Sequence, residues 1–224
     1  VRRALVTGGA RGLGRAIAAR LASEGVEVVT PARAELDLAA RESVQAWIAD
    51  ADARGALAFD ILVNNAGENF PRPIEEVEEH VLRRTFEVNF FSAFALTAAI
   101  LPAMRARGGG RVVNVSSVYA QRTRPGRSVY GATKAALESL TRTAAVEAAP
   151  HGVLVNAVAP GFVETELTRQ NNGPEALAAL SARIPVGRLA APPEIAEVVA
   201  FLASERNTYL TGHTLVVDGG FSLT

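Results

Sequence analysis

The chain has 224 residues, 49% of them hydrophobic and 21% charged, with 23 basic residues balancing 23 acidic ones, a profile that supports a sizeable buried core. Zero net charge removes the broad basic field that would attract nucleic acid or an anionic membrane surface. The absence of cysteine excludes disulfides, thiolate metal sites and a cysteine nucleophile.

In chain order, short β-branched runs alternate with longer stretches of helical period, the pattern of repeated strand–helix units around a parallel sheet. Strands are expected at Arg3–Thr7, Glu27–Thr30, Ile61–Asn64, Arg111–Ser116, Leu154–Ala159 and Thr214–Val217. Several are apolar on consecutive positions, as strands covered on both faces should be. Leu13, Ile17 and Leu21 mark a first helix that stops at Gly25. Further helices are expected over Ser43–Ala53, Glu75–Met104 (long or broken), Ala132–Ala149 and Pro193–Ala203. Val1 to Gly8 leaves no room for a secretory leader, and no apolar run approaches the ~20 residues that span a bilayer. The expectation is a soluble, cytoplasmic α/β protein of one domain, residues 1–224.

The first strand runs into Thr7-Gly8-Gly9-Ala10-Arg11-Gly12-Leu13-Gly14 and then into the first helix. Glycines are needed where a strand-to-helix turn takes positive φ and where a ligand approaches backbone closely, and the helix N-terminus beyond offers free N–H groups to a pyrophosphate. The spacing is G-x-x-x-G-x-G. The tip of the second strand, where a ribose 2′-substituent is read, is Thr30-Pro31-Ala32-Arg33, with one arginine and no acid. With Arg11 this makes two guanidiniums for a 2′-phosphate, so NADP(H) is favoured over NAD(H).

Tyr130 and Lys134 are spaced i, i+4, one above the other on a helix face. A neighbouring ammonium favours the phenolate, drawing Tyr130 toward neutral pH, where an acid–base catalyst works best. The 23 basic residues are 22 arginines and one lysine, which falls four positions after one of only three tyrosines. Chance would place it so about once in seventy-five chains of this composition. The Arg111–Ser116 strand runs on into Ser117, at the carboxyl end of a parallel strand, where such sheets bind ligands. A hydroxyl there can donate to a carbonyl oxygen as charge develops on it.

These segments resemble the classical short-chain dehydrogenase/reductase family over essentially the whole chain. The glycine turn, Asn64-Asn65-Ala66-Gly67, Asn89, Ser117, Tyr130-x-x-x-Lys134, Pro160-Gly161 and Val217-Asp218-Gly219-Gly220 fall in family order. The resemblance implies a Rossmann-like doubly wound parallel sheet with helices on both faces. It also implies a tetrad: Tyr130 as general acid/base, Ser117 polarising the carbonyl, Lys134 on the nicotinamide ribose, and Asn89 anchoring a water that relays protons. Gly8, Arg11, Gly12, Leu13, Gly14, Asn65, Ala66 and Gly67 would follow the adenosine and diphosphate, with Asp37 and Leu38 at the adenine. Pro160, Gly161, Val163 and Thr165 would close over the nicotinamide, under a substrate lid of about residues 162–192. The likeness is greatest to 3-oxoacyl-acyl-carrier-protein reductases, through Pro160–Thr165, Ile184–Arg188 and Phe201–Ser204. It implies a carbonyl or acyl thioester substrate, acyl carrier protein as a partner, and a homotetramer or dimer. In the family a helix separates the second strand from the Asp-bearing third, whereas Arg33 and Asp37 stand four residues apart. A parallel crossover needs about a dozen residues, so the third-strand edge is expected to be trimmed.

Gln121-Arg122-Thr123-Arg124-Pro125-Gly126-Arg127 resembles the family's substrate rim, and Arg169 and Arg188 fall in the lid. These cations fit an anionic substrate or an acidic carrier protein, or simply a solvated surface. His80, His151 and His213 lack ligand spacing, which gives no metal site. Phe86, Phe90, Phe91 and Phe94 recur at helical spacing and suit the core or a subunit contact. Two other functions on this scaffold are an epimerase or lyase that returns its cofactor unchanged, and a nucleotide sensor, which would be expected to have a damaged tetrad.

Overall fold

The computed structural model describes residues 1–224. Six parallel strands form one sheet in the order β2-β1-β3-β4-β5-β6. They are β1 (Arg3–Val6), β2 (Glu27–Val29), β3 (Ile61–Asn64), β4 (Gly110–Val115), β5 (Val153–Pro160) and β6 (Thr214–Val217), each within one residue of its expected ends. The helices are α1 (Gly12–Ser23), α2 (Arg41–Ala53), α3 (Glu79–Phe86), α4 (Ser92–Ala106), α5 (Ser128–Ala148), α6 (Glu166–Gln170), α7 (Pro174–Arg183) and α8 (Pro192–Ala203). α6 and α7 lie in the lid segment and were not expected as helices; Pro174 at the start of α7 is the local signal.

Side chains of successive strand residues point to opposite faces, so each apolar run feeds two cores. Ala4, Val6, Val63, Val113 and Val158 pack with Ile17, Leu21, Ile195 and Val199 of α1 and α8. Leu5, Leu62, Val112 and Val155 pack on the other face with Ala51, Leu96, Ile100, Ala144 and Ala148 of α2, α4 and α5. From β1 the chain steps outward to β2, then returns past β1 to β3. This reversal opens a crevice beyond the carboxyl ends of β1 and β3, the usual ligand position in such sheets.

The edge beyond β2 is trimmed: residues 33–35 and 38–39 form turns, and α2 begins at Arg41 with no further strand. The expected Glu75–Met104 helix is broken at its start by Ile74–Glu76, a single 3₁₀ turn, and at its middle by a π-turn over Glu87–Phe91. From Glu79 to Ala106 it is nevertheless one helical run of 28 residues, and its most apolar stretch has mean hydropathy 1.5. That is long and apolar enough to cross a bilayer, which corrects the expectation from the sequence. Its Leu96, Ile100 and Met104 are fully buried against the sheet, so this apolar surface belongs to the protein core.

A polar network crosses that core. Asn64 Nδ2 donates to Asn114 Oδ1 at 2.8 Å and to Thr97 Oγ1 at 3.1 Å, and Asn114 Nδ2 donates to Thr141 Oγ1 at 2.8 Å. It ties β3, β4, α4 and α5 together with no access to water. Replacing Thr141 by the similarly shaped valine strands the Asn114 amide, and an unsatisfied buried donor costs about 1–3 kcal/mol. Urea denaturation of Thr141→Val should show a loss of that size; a loss below about 0.5 kcal/mol would mean that the network contributes little.

Candidate active site

The turn that ends β1 folds back on α1 so closely that a Cβ on Gly14 would lie 2.1 Å from the Gly8 carbonyl oxygen. Gly12 has φ +52°, a left-handed conformation that glycine takes freely. The first turn of α1 carries no acidic residue and no side-chain cap, leaving its N–H groups and positive dipole end open toward the crevice. Thr7 joins this turn to β3: its Oγ1 accepts from the N–H groups of Asn65 and Ala66 at 3.0 and 3.1 Å, and Asn65 Nδ2 donates to the Thr7 carbonyl at 2.9 Å.

These segments border one cleft of about 410 Å³, the size of a small-molecule or cofactor site. Gly8, Arg11, Gly12, Leu13 and Gly14 line one wall, and Asn65, Ala66 and Gly67 line the next. Arg33, Asp37 and Leu38 stand at the far end, so the turns that replace the third strand still bring these three together. Pro160, Gly161, Val163 and Thr165 form the side under α6, and Ser117, Tyr130 and Lys134 close the near end.

Two expectations change here. The arginines at the adenosine end do have acidic neighbours: Asp37 lies 3.3 Å from Arg33, and Glu166 lies 3.7 Å from Arg11. All four side chains are at least one-third exposed, so these are weak pairs that an incoming phosphate can displace. Asn89 is not in the cleft wall. It lies behind it in the π-turn, an irregularity common at functional sites. Its Oδ1 accepts from Glu68 N at 2.8 Å, and its Nδ2 donates to the Glu68 carbonyl and to Thr133 Oγ1, both at 3.0 Å. Arg84 clamps the Glu68 carboxylate through Nε at 2.8 Å and Nη2 at 2.5 Å. Glu68, Arg84 and Thr133 had no sequence signal.

Lys134 Nζ is buried and donates to the Val115 carbonyl at 2.7 Å, while lying 5.7 Å from the Tyr130 ring centre. Burial lowers its pKa to about 8. Tyr130 moves the other way: burial raises its pKa above 10, while a hydrogen bond with Ser117 and the charge of Arg127 pull it down less strongly. The sequence expectation that Lys134 draws the phenol toward neutrality is therefore corrected. Burial outweighs the Ser117 hydrogen bond and the Arg127 charge, and Lys134 is not among the groups that lower the phenol.

A six-stranded parallel sheet with a cofactor-sized cleft at its carboxyl ends, closed by serine, tyrosine and lysine, has the construction of a nicotinamide-dependent dehydrogenase. The chain belongs to the short-chain dehydrogenase/reductase family and is an oxidoreductase acting on a carbonyl or an alcohol with NAD(P). A family model described as enoyl-(acyl carrier protein) reductase matches residues 30–222. The 3-oxoacyl-[acyl-carrier-protein] reductase FabG of Vibrio cholerae is 40% identical over 97% of this chain and 96% of its own length. L-xylulose reductase of Bos taurus is 38% identical over 100% and 97%. Among solved structures, a gluconate 5-dehydrogenase from Burkholderia cenocepacia in complex with NADP and tartrate superposes with a TM-score of 0.88 at 32% identity, covering 100% of this chain and 96% of that one.

The Lys134 shift gives a signed test. The folded group releases its proton near pH 8 and the unfolded one near 10.5, so the cost of burying the charge is full below pH 8 and disappears as pH rises to 10.5. The stability of Lys134→Met relative to the parent should fall by about 3 kcal/mol between pH 7 and pH 10.5 in urea unfolding of the nucleotide-free proteins. A difference that stays constant or grows would contradict a buried, charged lysine.

Proposed function

We propose that this protein is an NADP(H)-dependent reductase that converts a carbonyl to a secondary alcohol, and the reverse, with Tyr130 transferring the proton. The observation that carries this reading is the meeting of Ser117, Tyr130 and Lys134 at one end of a cleft whose other end is built from a glycine turn and two arginines. A nicotinamide, when bound, supplies or accepts the hydride. Ser117 Oγ would orient and polarise the carbonyl, Tyr130 Oη would give up its proton, and Lys134 Nζ would hold the nicotinamide ribose. Asn89 holds the loop behind Gly67 and serves the proton relay toward Lys134. Residues 162–192, with α6 and α7, form the lid, and the whole chain acts as a single domain.

NADP(H) is supported by the two guanidiniums at the adenosine end and by relatives with that cofactor bound. Relatives that act on 3-oxoacyl-[acyl-carrier-protein], L-xylulose and gluconate define the carbonyls to try, with acyl carrier protein as the partner for the first.

Consumption of NADPH, followed by its near-ultraviolet absorbance, should be measured against 3-oxoacyl thioesters, short oxo acids and polyhydroxy ketones. We expect turnover with at least one class and a loss of about a thousandfold in kcat for Tyr130→Phe. Product without net cofactor consumption would make the protein an epimerase or lyase; nucleotide binding with no turnover would make it a sensor. The parent should use NADPH more efficiently than NADH, and Arg33→Ala should cut that preference at least about tenfold. A parent that prefers NADH would overturn the NADP(H) reading.

Phe91 and Phe94 are about half exposed and pack against Phe90. We assign this surface to a homodimer or homotetramer contact. Light scattering should find an oligomer for the parent and a smaller species for Phe94→Glu; a monomeric parent would rule the contact out.

A further inference from the structure

The arginines of the rim and lid have different fates. Arg122 donates to the carbonyls of Phe221 and Thr224, Arg169 pairs with Glu164 at 2.8 Å, and Arg188 pairs with Glu194 at 2.7 Å. The Arg124 guanidinium reaches the Tyr119 hydroxyl at 3.5 Å. Arg127 is the exception. It is only 7% exposed, its Nη1 is fully buried without a hydrogen-bond partner, and the charged and titratable groups acting on it are Tyr119, Arg124 and Tyr130. No carboxylate is among them.

A largely buried cation with no carboxylate partner is costly to keep, and an apolar side chain of similar volume would relieve it. The position of Arg127 gives a reason to keep it. It occupies the N-cap position of α5 without a side-chain capping bond, one helical turn before Tyr130, on the face that carries Lys134 one turn after it. Lys134 lines the nucleotide cleft and Arg127 does not, and the Arg127 charge acts on the Tyr130 phenol. The Arg127 guanidinium lies 5.7 Å from the centre of the Tyr119 ring, and the Tyr119 N–H donates to Ser117 Oγ at 3.2 Å. Arg127 therefore stands close to the Ser117–Tyr130 pair, outside the lining of the nucleotide cleft.

A second unmet polar atom borders the same corner. Arg72 N donates to the Gly126 carbonyl at 3.2 Å, joining residues 69–72 to the Arg127 turn. Within that segment Asn69 Oδ1 is buried without a partner. An unmet acceptor and an unmet donor thus lie on two segments that this bond joins.

We propose that Arg127 binds a carboxylate carried by the same small molecule as the reacting carbonyl, and that Asn69 Oδ1 accepts from a hydroxyl of that molecule. The substrates are then short oxo acids and their hydroxy-acid products. The guanidinium offers two parallel N–H donors to the two carboxylate oxygens, and the incoming anion supplies the charge that the fold lacks. This rests on Ser117 and Tyr130 being the reacting pair.

The test compares a short 3-oxo carboxylate with its methyl ester and with a 3-oxoacyl thioester, using NADPH and the full chain. The parent should favour the carboxylate over the ester by about 30-fold or more in kcat/KM, mainly through KM. Arg127→Gln should lose at least about tenfold more on the carboxylate than on the ester, with part of the loss restored in Arg127→Lys. Equal use of acid and ester by the parent, a thioester preferred to both, or equal losses on acid and ester in Arg127→Gln would overturn the proposal. The parent comparison decides the matter even if the variants fold poorly. Tyr130→Phe separates the two levels: if it abolishes turnover of the ester, the reacting pair stands whatever becomes of Arg127. If it does not, the pair itself is wrong.

Discussion

The docking of α5 along β4 is the constraint on which the active site depends. Lys134 Nζ reaches the Val115 carbonyl, Ser116 Oγ donates to Glu138 at 2.9 Å, and Asn114 Nδ2 donates to Thr141 at 2.8 Å. On the helix these residues fall at i, i+4 and i+7, one face; on the strand Asn114 and Ser116 alternate onto one side. Rotating the helix by one residue would turn it by about 100° and break all three contacts at once. Each broken contact would leave buried polar atoms without partners, so competing registers are strongly disfavoured. Ser117 continues this strand and Tyr130 lies on this helix. Their alignment is therefore set by the core, not by the loops around them.

The same docking explains why the chain carries one lysine. The pocket beside Val115 offers one carbonyl acceptor in a dry setting. A guanidinium has five donors and would leave most of them unmet there, whereas an ammonium is compact and can swing toward a ribose. Apart from the enclosed Arg127, the other cations sit mostly at the surface or against acceptors. Arg111 is typical, reaching the carbonyls of Ser204, Gly110 and Asn207, an arrangement that suits a planar fork.

The sheet was legible because its strands are apolar on consecutive positions and each lies between two helix layers. The cleft was legible because glycines and a strand-end serine must stand where backbone meets ligand, and because Lys134 has no competitor in the chain. Side-chain pairing was not. That Asp37 lies against Arg33, or that Asn89 is occupied by Glu68 and Thr133, depends on how turns and a π-turn bring distant backbone together, and composition carries no trace of it. Nor does sequence reveal that Arg122 and Arg188 are already bonded while Arg127 is enclosed. The sign of the Tyr130 shift was misjudged for the same reason: spacing shows a neighbouring charge but not the depth of burial that outweighs it.

The shortened edge of the sheet has one more consequence. β2 has three residues, begins with the charged Glu27, and gives way at once to turns and then α2. An edge strand is a template on which another chain can continue a sheet, and the hazard grows with the length of its unpaired backbone. Three residues, one of them a partly exposed glutamate held by Arg3, are a poor template. Losing the third strand thus left the protein with an edge that resists edge-to-edge aggregation.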